Sequence, residues 1–177
     1  YYRKVDAVIM RFMDGLMAFP SLILALALIA VLGASVQNVI IVITIVSVPL
    51  VARVVRASVL SLREQQFIDA AKALGVPDWR ILMLHIAPNT LAVLMVQGTF
   101  VFALAVIAEA NLSFLGAGVP PTTPSWGNIM GQGRTYLPLA FWITFFPGVF
   151  LSLTVLAINL LGDGLRDALD PKLRRRA

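Results

Sequence analysis

Few side chains in this 177-residue sequence are suited to chemistry. There is no cysteine and only one histidine, His85, so the sequence offers neither a thiolate site nor the pair of histidines of a catalytic zinc site. The polar groups that remain stand out because apolar sequence surrounds them, above all at Glu109, Asn111 and Ser113. Such isolated groups favour binding or guiding a polar molecule over breaking a bond. The sequence therefore predicts no catalytic residue and no metal site.

The other acidic residues in apolar surroundings favour structural roles. A protease with paired aspartates needs two facing carboxylates, and Asp163 is a single candidate. We expect Asp163 to cap a helix end or to pair with Arg166. Asp14 is expected to pair with Arg11 or with a residue of another helix. An intramembrane enzyme is therefore the weaker alternative.

A charged stretch between long apolar runs predicts two short helices joined by a sharp turn, which we call the elbow (residues 64–79). Ser61 and Glu64 have the spacing of a capping box that begins the first helix. Gly75 favours a left-handed helix end, and Asp78 is expected to cap the second helix. The apolar residues of the first helix repeat at helical spacing: Phe67, Ile68, Ala71 and Leu74.

The rest of the sequence has the composition of a membrane protein, with 59% apolar and 13% charged residues. A helix that crosses the hydrocarbon core needs about 20 apolar residues. Four segments meet this requirement: Val5–Leu32, Val39–Leu62, Ile81–Ala108 and Leu139–Leu165. Prolines within three of them are expected to kink the helices. The sequence thus predicts an all-α, polytopic membrane protein of about four spans.

Basic residues are distributed unequally between the two sides of these spans. With four crossings, 13 of the 14 lysines and arginines fall on one side, and Arg134 alone falls on the other. Such an excess marks the cytoplasmic side. Both ends of the sequence and the elbow are therefore expected in the cytoplasm. The net charge of +5 then requires no nucleic acid as a partner.

Residues 112–138, between the third and fourth predicted spans, are expected to form an extracytoplasmic loop with a short helix. Ser125 can cap that helix over Trp126–Gly133. Glu109 stands at the outer end of the third span. Its carboxylate can lie at the interface, outside the hydrocarbon, or it can line a path through the membrane.

The elbow also carries a pattern of specific spacing. Asp69-Ala70-Ala71 is followed by Gly75, and Pro88 lies thirteen residues beyond the glycine. This pattern resembles the signature loop of permeases of ATP-binding-cassette (ABC) importers, with aspartate where glutamate is usual. A face of small residues suits close contact with a cleft on a partner protein.

Further segments resemble the permease subgroup that imports dipeptides, oligopeptides or nickel. They are distributed over the whole chain: Ala18–Pro20, Ser58–Arg63, His85–Asn89, Glu109–Gly118, Pro124–Gly127 and Asn159–Asp167. The resemblance implies the type I ABC importer permease fold, in which two permease subunits form one translocation path. Residues 1–177 would then be one transmembrane domain.

The resemblance also implies roles for residues at two places. The elbow would couple the spans to an ATPase through the following residues: Phe67, Asp69, Ala70, Ala71, Lys72, Leu74, Gly75, Asp78 and Arg80. The translocation path or its gate would include four residues near the end of the third span: Glu109, Asn111, Ser113 and Phe114.

The family to which the resemblance points implies several partners. They are a second permease subunit in a heterodimer, two ABC ATPase subunits, an extracytoplasmic solute-binding protein and the lipid bilayer. The chain itself would bind no cofactor. ATP and Mg²⁺ would bind to the ATPases, because this sequence has no GxxxxGK(S/T) loop to hold phosphates. The location would be the cytoplasmic (inner) membrane of a bacterium or archaeon.

Members of this subgroup usually have further membrane helices before the position that matches Tyr1, so the chain is expected to be a piece of a longer subunit. Peptides are the expected solute, with nickel or another small solute as the alternative. An ATP-independent channel would also explain the spans. It would give no reason for the spacing of Asp69, Gly75 and Pro88.

Overall fold

The computed structural model describes residues 3–169, which form helices and connecting turns without a strand in that range. The α-helices follow in this order: α1 (Arg3–Met17), α2 (Ser21–Leu32), α3 (Val36–Arg63), α4 (Gln66–Ala73), α5 (Asp78–Ile81), α6 (Ala87–Phe114), α7 (Trp126–Gly133) and α8 (Trp142–Leu169). A π-helical turn, Leu82–Ile86, joins α5 to α6, and a 3₁₀ turn, Arg134–Tyr136, follows α7. The predicted all-α fold class is confirmed.

Three stretches of the described chain are long and apolar enough to cross a membrane: α3, the continuous run Asp78–Phe114, and α8. The predicted second and fourth spans agree with α3 and α8 to within a few residues. The third span extends past its predicted end at Ala108, because the polar residues that follow do not stop the helix. Gly116, with φ +79°, ends it instead.

The first predicted span, Val5–Leu32, is not a single kinked helix. α1 and α2 meet at a bend of 91°. Pro20 has no N–H to donate, and it disfavours the helical conformation at Phe19, the residue before it. The prediction of a kink was therefore right in position and wrong in extent. α2 alone has 12 residues, about 18 Å of helix.

Two predicted helix caps are wrong. Ser61 does not begin the elbow helix, because α3 continues through it and ends at Arg63. α4 begins at Gln66, and Gln65 occupies its N-cap position without a side-chain bond. Pro77, not Asp78, occupies the N-cap position of α5. Asp78 is its first helical residue, where a carboxylate still interacts favourably with the helix dipole.

α6 lies at the centre of the arrangement, against α2, α3, α7 and α8. A buried apolar cluster joins α2, α3, the end of α6 and the loop after it: Ala25, Ile29, Val39, Val42, Leu112 and Val119. α8 approaches α6 closely at Gly162, where an added Cβ would overlap the Thr99 hydroxyl. The apolar cluster positions the residues around Glu109, and the contact at Gly162 holds α8 against the middle of α6.

The outward faces of the spans remain apolar and exposed. Phe100 of α6 and Leu161 of α8 are examples, 48% and 69% exposed. A soluble protein rarely exposes so much contiguous apolar surface. Lipid or neighbouring helices therefore cover these faces.

Candidate functional site

The elbow turns sharply at a glycine. Gly75 has φ +75°, a conformation that other residues rarely adopt. Its N–H donates to the Lys72 carbonyl at 2.9 Å, and the N–H of Val76 donates to the Ala71 carbonyl at 3.1 Å. These two bonds form a Schellman motif and satisfy the last carbonyls of α4. The predicted left-handed helix end is confirmed.

One side of the elbow is buried against the two spans that it connects, in a cluster that we call the anchor. Ile68 and Ala71 of α4 pack with Ile81 and Ile86, and Ile68 is 1% exposed. Three further residues pack against this cluster: Val59, Leu62 and Val76. The anchor thus joins α4 to the end of α3 and to the beginning of the run that becomes α6. The close packing of the anchor therefore holds α4 against both spans.

The opposite side of the elbow exposes apolar and charged side chains together. Leu74 is 82% exposed and Trp79 is 64% exposed. Asp69 and Lys72 form an exposed ion pair one turn apart, with 3.2 Å between Nζ and Oδ1. The guanidinium carbon of Arg80 lies 5.8 Å from the centroid of the Trp79 ring. This surface has the mixed character of a protein interface.

The predicted coupling residues form one continuous element but do not share one face. Ala71 belongs to the anchor and is turned away from the surface. The others are exposed: Phe67, Asp69, Ala70, Lys72, Leu74, Gly75, Asp78 and Arg80. Only Ala70 of the two alanines is therefore accessible. Sequence reasoning missed Trp79 as part of the exposed face, although a tryptophan in a charged loop is a usable signal for an interface.

Pro88 lies where the chain passes from the elbow into the long helix α6. It follows the π-helical turn Leu82–Ile86 and is the second residue of α6. Proline has no N–H and crowds the carbonyl four residues earlier, so a wider turn relieves the clash. The side-chain amide of Asn89 donates to the His85 carbonyl at 2.6 Å and supplies a partner within this widened turn.

Near the other end of α6, Glu109 and Ser113 are joined by a hydrogen bond. The Ser113 hydroxyl donates to Oε1 of Glu109 at 2.6 Å and accepts from the N–H of Val119 at 3.2 Å. Ser113 is 3% exposed, whereas Glu109 is half-buried. The serine therefore orients the carboxylate and ties the returning loop to α6.

Glu109 borders a groove of about 600 Å³ between α3, α6 and the segment around α7. The walls of the groove are mostly apolar and include Ile40, Ile43, Phe102 and Trp126. Among its lining residues in the described chain, Glu109 is the only charged one. The groove therefore combines an apolar surface with one oriented carboxylate.

The predicted path residues are only partly brought together. Glu109 lines the groove, and Ser113 acts on it through the hydrogen bond. Asn111 is exposed and is absent from the groove lining. Phe114 lies beside Arg134, whose guanidinium carbon is 5.9 Å from the ring centroid. The four residues therefore divide between the groove and the surface of α6.

The helix α7 is fixed by hydrogen bonds at its beginning. The Ser125 side chain accepts from the N–H of Asn128 at 3.1 Å, so the predicted cap and the predicted bounds of this helix are confirmed. The Asn128 amide donates to three loop carbonyls, those of Val119, Pro120 and Thr123. Sequence reasoning missed Asn128. Its signal is an asparagine three residues after a capping serine, beside a proline-rich loop whose carbonyls need donors.

Close backbone packing holds α7 against α6. A Cβ at Gly127 would lie 2.5 Å from the carbonyl oxygen of Ala110, and one at Gly131 would lie 3.0 Å from that of Phe114. Glycines four residues apart share one helix face and permit such an approach. The wall of the groove that α7 forms is therefore held in place by the glycines of α7.

Three further polar residues with predicted roles lie away from the groove: Asp14, His85 and Asp163. Asp14 pairs with Arg53 of α3 at 2.7 Å, so the expected partner on another helix is found. Asp163 forms no ion pair with Arg166 among residues 3–169. His85 lies beside Phe67, with 6.1 Å between the ring centroids. Within the described residues, no three potential ligands gather as a metal site.

Comparison with known protein families identifies the family of this chain. Residues 1–175 match the family described as the binding-protein-dependent transport system inner membrane component. The chain belongs to this family. The assignment confirms the predicted resemblance to importer permeases and supports a transport component of the membrane over an intramembrane enzyme.

Curated relatives within this family are similar over nearly the whole chain. A putative peptide transport system permease protein of Brucella suis is 53% identical over 98% of the chain. The dipeptide transport system permease protein of Alkalihalophilus pseudofirmus is 48% identical over 98% of the chain. The glutathione transport system permease protein of Shigella flexneri is 47% identical over 96% of it. The chain spans 59%, 57% and 56% of the length of these three relatives.

Proposed function

We propose that this chain is a membrane-spanning permease subunit of an ABC importer. It forms part of a translocation path for short peptides and couples that path to ATPase subunits through the elbow. The family assignment and the names of the relatives support this function. Peptides are the preferred solute because those relatives are named for peptides, a dipeptide and glutathione. Nickel or another small solute is the alternative.

The main support for this proposal is that the elbow has one exposed side and one buried side. Its exposed side, with Leu74 and Trp79, offers apolar area and charge to a partner. Its buried side ends in the anchor, which includes Ile81 and Ile86. A partner that moves the exposed side therefore moves the end of α3 and the beginning of α6 together. One rigid bundle moving against another is the usual basis of alternating access.

The proposed orientation places the elbow and both ends of the chain in the cytoplasm. The excess of basic residues on that side supports it. The proposed partners are a second permease subunit in a heterodimer, two ATPases that bind ATP and Mg²⁺, and a solute-binding protein outside the membrane. The exposed faces of α6 and α8 offer surface for the second permease subunit and for lipid.

At the outer end of α6, the groove beside Glu109 is the proposed part of the path. Peptides carry an ammonium group and apolar side chains, and the groove offers a carboxylate with apolar walls. Ser113 holds that carboxylate by a hydrogen bond. In this proposal Asn111 and Phe114 act on the surface of α6 and not in the groove.

Disulfide crosslinking in the complete permease, assembled with its ATPases, tests the coupling role. Leu74→Cys is compared with Leu139→Cys, because both leucines are 82% exposed and lie on opposite sides in the proposed orientation. Leu74→Cys should crosslink to a cysteine introduced on the ATPase, in a yield that changes with ATP, and Leu139→Cys should not. Equal yields from both positions, or none from Leu74→Cys, would contradict the proposal.

A coupling variant tests the function itself. Gly75→Asp should leave the subunit assembled yet separate ATP hydrolysis from uptake, because it places a charged side chain where the elbow meets its partner. Uptake of a labelled dipeptide into proteoliposomes is measured together with phosphate release. ATP-independent passage of the solute would favour a channel, and unchanged coupled uptake would count against the role of the elbow.

A further inference from the structure

α1 places both of its acidic side chains on the face that packs against α3. Asp6 accepts from Arg56 in a two-pronged pair, with 2.8 Å from Nε to Oδ1 and 2.8 Å from Nη2 to Oδ2. Asp14 pairs with Nη2 of Arg53 at 2.7 Å. The negative charges of α1 are therefore compensated by α3.

The unequal spacing of these two pairs indicates that α1 crosses α3 at an angle. From Asp6 to Asp14 the helix rises about 12 Å, but from Arg53 to Arg56 it rises only about 4.5 Å. Helices running side by side would bring partners of equal spacing together. The length of the arginine side chains accounts for part of the difference between the two rises, and the inclination of α1 to α3 accounts for the rest.

The bend between α1 and α2 also indicates that α1 is steeply inclined to the bundle. α2 packs along α3 in the outer half of the bundle, and α1 leaves α2 at 91°. Since α2 packs on the membrane-crossing helix α3, a helix at a right angle to α2 runs closer to the membrane plane than to its normal. α1 therefore lies across the cytoplasmic end of α3 in the orientation proposed above.

A second face of α1 is apolar and exposed. Val5, Val8, Ile9 and Phe12 recur at helical spacing, and Val8 and Phe12 are 70% and 66% exposed. This stripe lies beside the face that contacts α3. Ile9 also borders a cavity between α1, α3 and the elbow, so Val5, Val8 and Phe12 form the part of the stripe that residues 3–169 leave open.

The remaining exposed charges of α1 beside the stripe are basic. Lys4 and Arg11 are exposed, and neither forms an ion pair with a described residue. Since Asp6 and Asp14 are already paired, the accessible surface of α1 combines an apolar stripe with uncompensated positive charge. This combination is typical of helices that lie on anionic bilayers.

We propose that α1 is an interfacial helix that lies in the plane of the membrane and binds the anionic lipid surface. Its apolar stripe enters the boundary between headgroups and acyl chains by about 5–10 Å, and Lys4 and Arg11 bind lipid phosphates. The pairs with Arg53 and Arg56 fix its direction on α3. This position also places the start of α2 inside the interface, which shortens the distance that its 12 residues must cross.

A depth scan tests this assignment in the complete permease, assembled with its partner subunits in nanodiscs of phosphatidylcholine and phosphatidylglycerol. A nitroxide is attached to single cysteines from position 5 to position 17, and its accessibility to oxygen and to a water-soluble nickel complex is measured. Depth should vary with a period of 3.6 residues, deepest at Val8→Cys and Phe12→Cys and shallowest at Ala7→Cys. A steady increase of depth towards position 17 would show that α1 crosses the membrane. Labels at positions 8 and 12 shielded from both reagents would show that protein covers the stripe. Either result overturns the proposal.

The role of charge is tested by the variant Lys4→Gln/Arg11→Gln, carrying the label at position 12. In the parent protein this label should lie deeper with phosphatidylglycerol than in phosphatidylcholine alone, and the variant should lose at least half of that shift. Arg63→Gln/Arg166→Gln is the matched control, because it removes two exposed charges outside α1 and should keep the shift. A label insensitive to phosphatidylglycerol, or an equal loss in the control, would overturn the lipid assignment.

Discussion

The two ends of α6 are built in different ways. At the elbow, the contacts are mainly apolar: Ile68 fills the anchor, and backbone bonds at Gly75 close the turn. At the end next to α7, buried and partly buried hydrogen bonds dominate, from Ser113 to Glu109 and from Asn128 to the loop carbonyls. The elbow exposes its far side, whereas α7 is packed tightly on α6.

In the proposed function, this difference corresponds to two mechanical tasks. Apolar packing has no directional requirement, so the anchor can transmit a push while the exposed side of α4 adapts to a partner. Hydrogen bonds and glycine contacts require defined geometry, so the end next to α7 holds the Glu109 carboxylate in one orientation. Variants at the two ends should therefore fail differently.

The largest effect is expected from emptying the anchor. Ile68→Ala removes a side chain that is 1% exposed, and such a change costs about 2–5 kcal/mol. We expect a lower midpoint of thermal unfolding in nanodiscs and a loss of ATP-driven uptake. Leu74→Ala is the control for stability, because its side chain is 82% exposed and should change the free energy of unfolding by less than about 0.5 kcal/mol. Equal midpoints of thermal unfolding for the two variants would show that the anchor does not stabilise the fold.

The second-largest loss of stability is expected from adding a side chain at the contact between α7 and α6. Gly127→Ala places a Cβ 2.5 Å from the Ala110 carbonyl oxygen, and such overpacking costs about 1–3 kcal/mol. The midpoint of thermal unfolding should fall. Gly164→Ala, in α8, has no atom within 4 Å of its added Cβ and should leave the midpoint unchanged or higher. A normal midpoint for Gly127→Ala would mean that α7 is not held closely against α6.

A smaller cost is expected at the turn of the elbow. No atom lies within 4 Å of a Cβ at Gly75, so Gly75→Ala acts only through its positive φ and costs about 1–2 kcal/mol. Limited proteolysis should cut the elbow faster in this variant. Gly75→Asn should recover part of the resistance, since asparagine tolerates this conformation. Identical cleavage rates for all three proteins would remove the left-handed turn as a cause.

The smallest change in stability is expected from the serine at the groove. Ser113→Ala removes a hydrogen bond worth about 0.5–1.5 kcal/mol and frees the Glu109 carboxylate. Dipeptide uptake should fall while basal ATP hydrolysis is retained. Ser152→Ala, whose hydroxyl only bonds the Gly148 carbonyl on the exposed side of α8, should keep both. A defect in hydrolysis alone would place the function of Ser113 elsewhere.

Features determined by neighbouring residues could be predicted, and features that depend on distant contacts could not. The Gly75 turn and the Ser125 cap are local, and both are confirmed. The caps at Ser61 and Asp78 failed because the same residue types also fit the last turn of one helix and the first turn of another. Periodicity identified an apolar face on α4, but it could not tell that Ala71 is covered while Leu74 is open.

The sequence by itself determined the membrane class, three of the long apolar segments and the position of the elbow, because hydropathy and turn-forming residues act over a few neighbours. The tertiary structure decided the direction of α1, the buried side of α4 and the orientation of Glu109. The pair between Asp14 and Arg53 joins residues 39 positions apart. A contact of that kind depends on how whole helices pack, which no local pattern records.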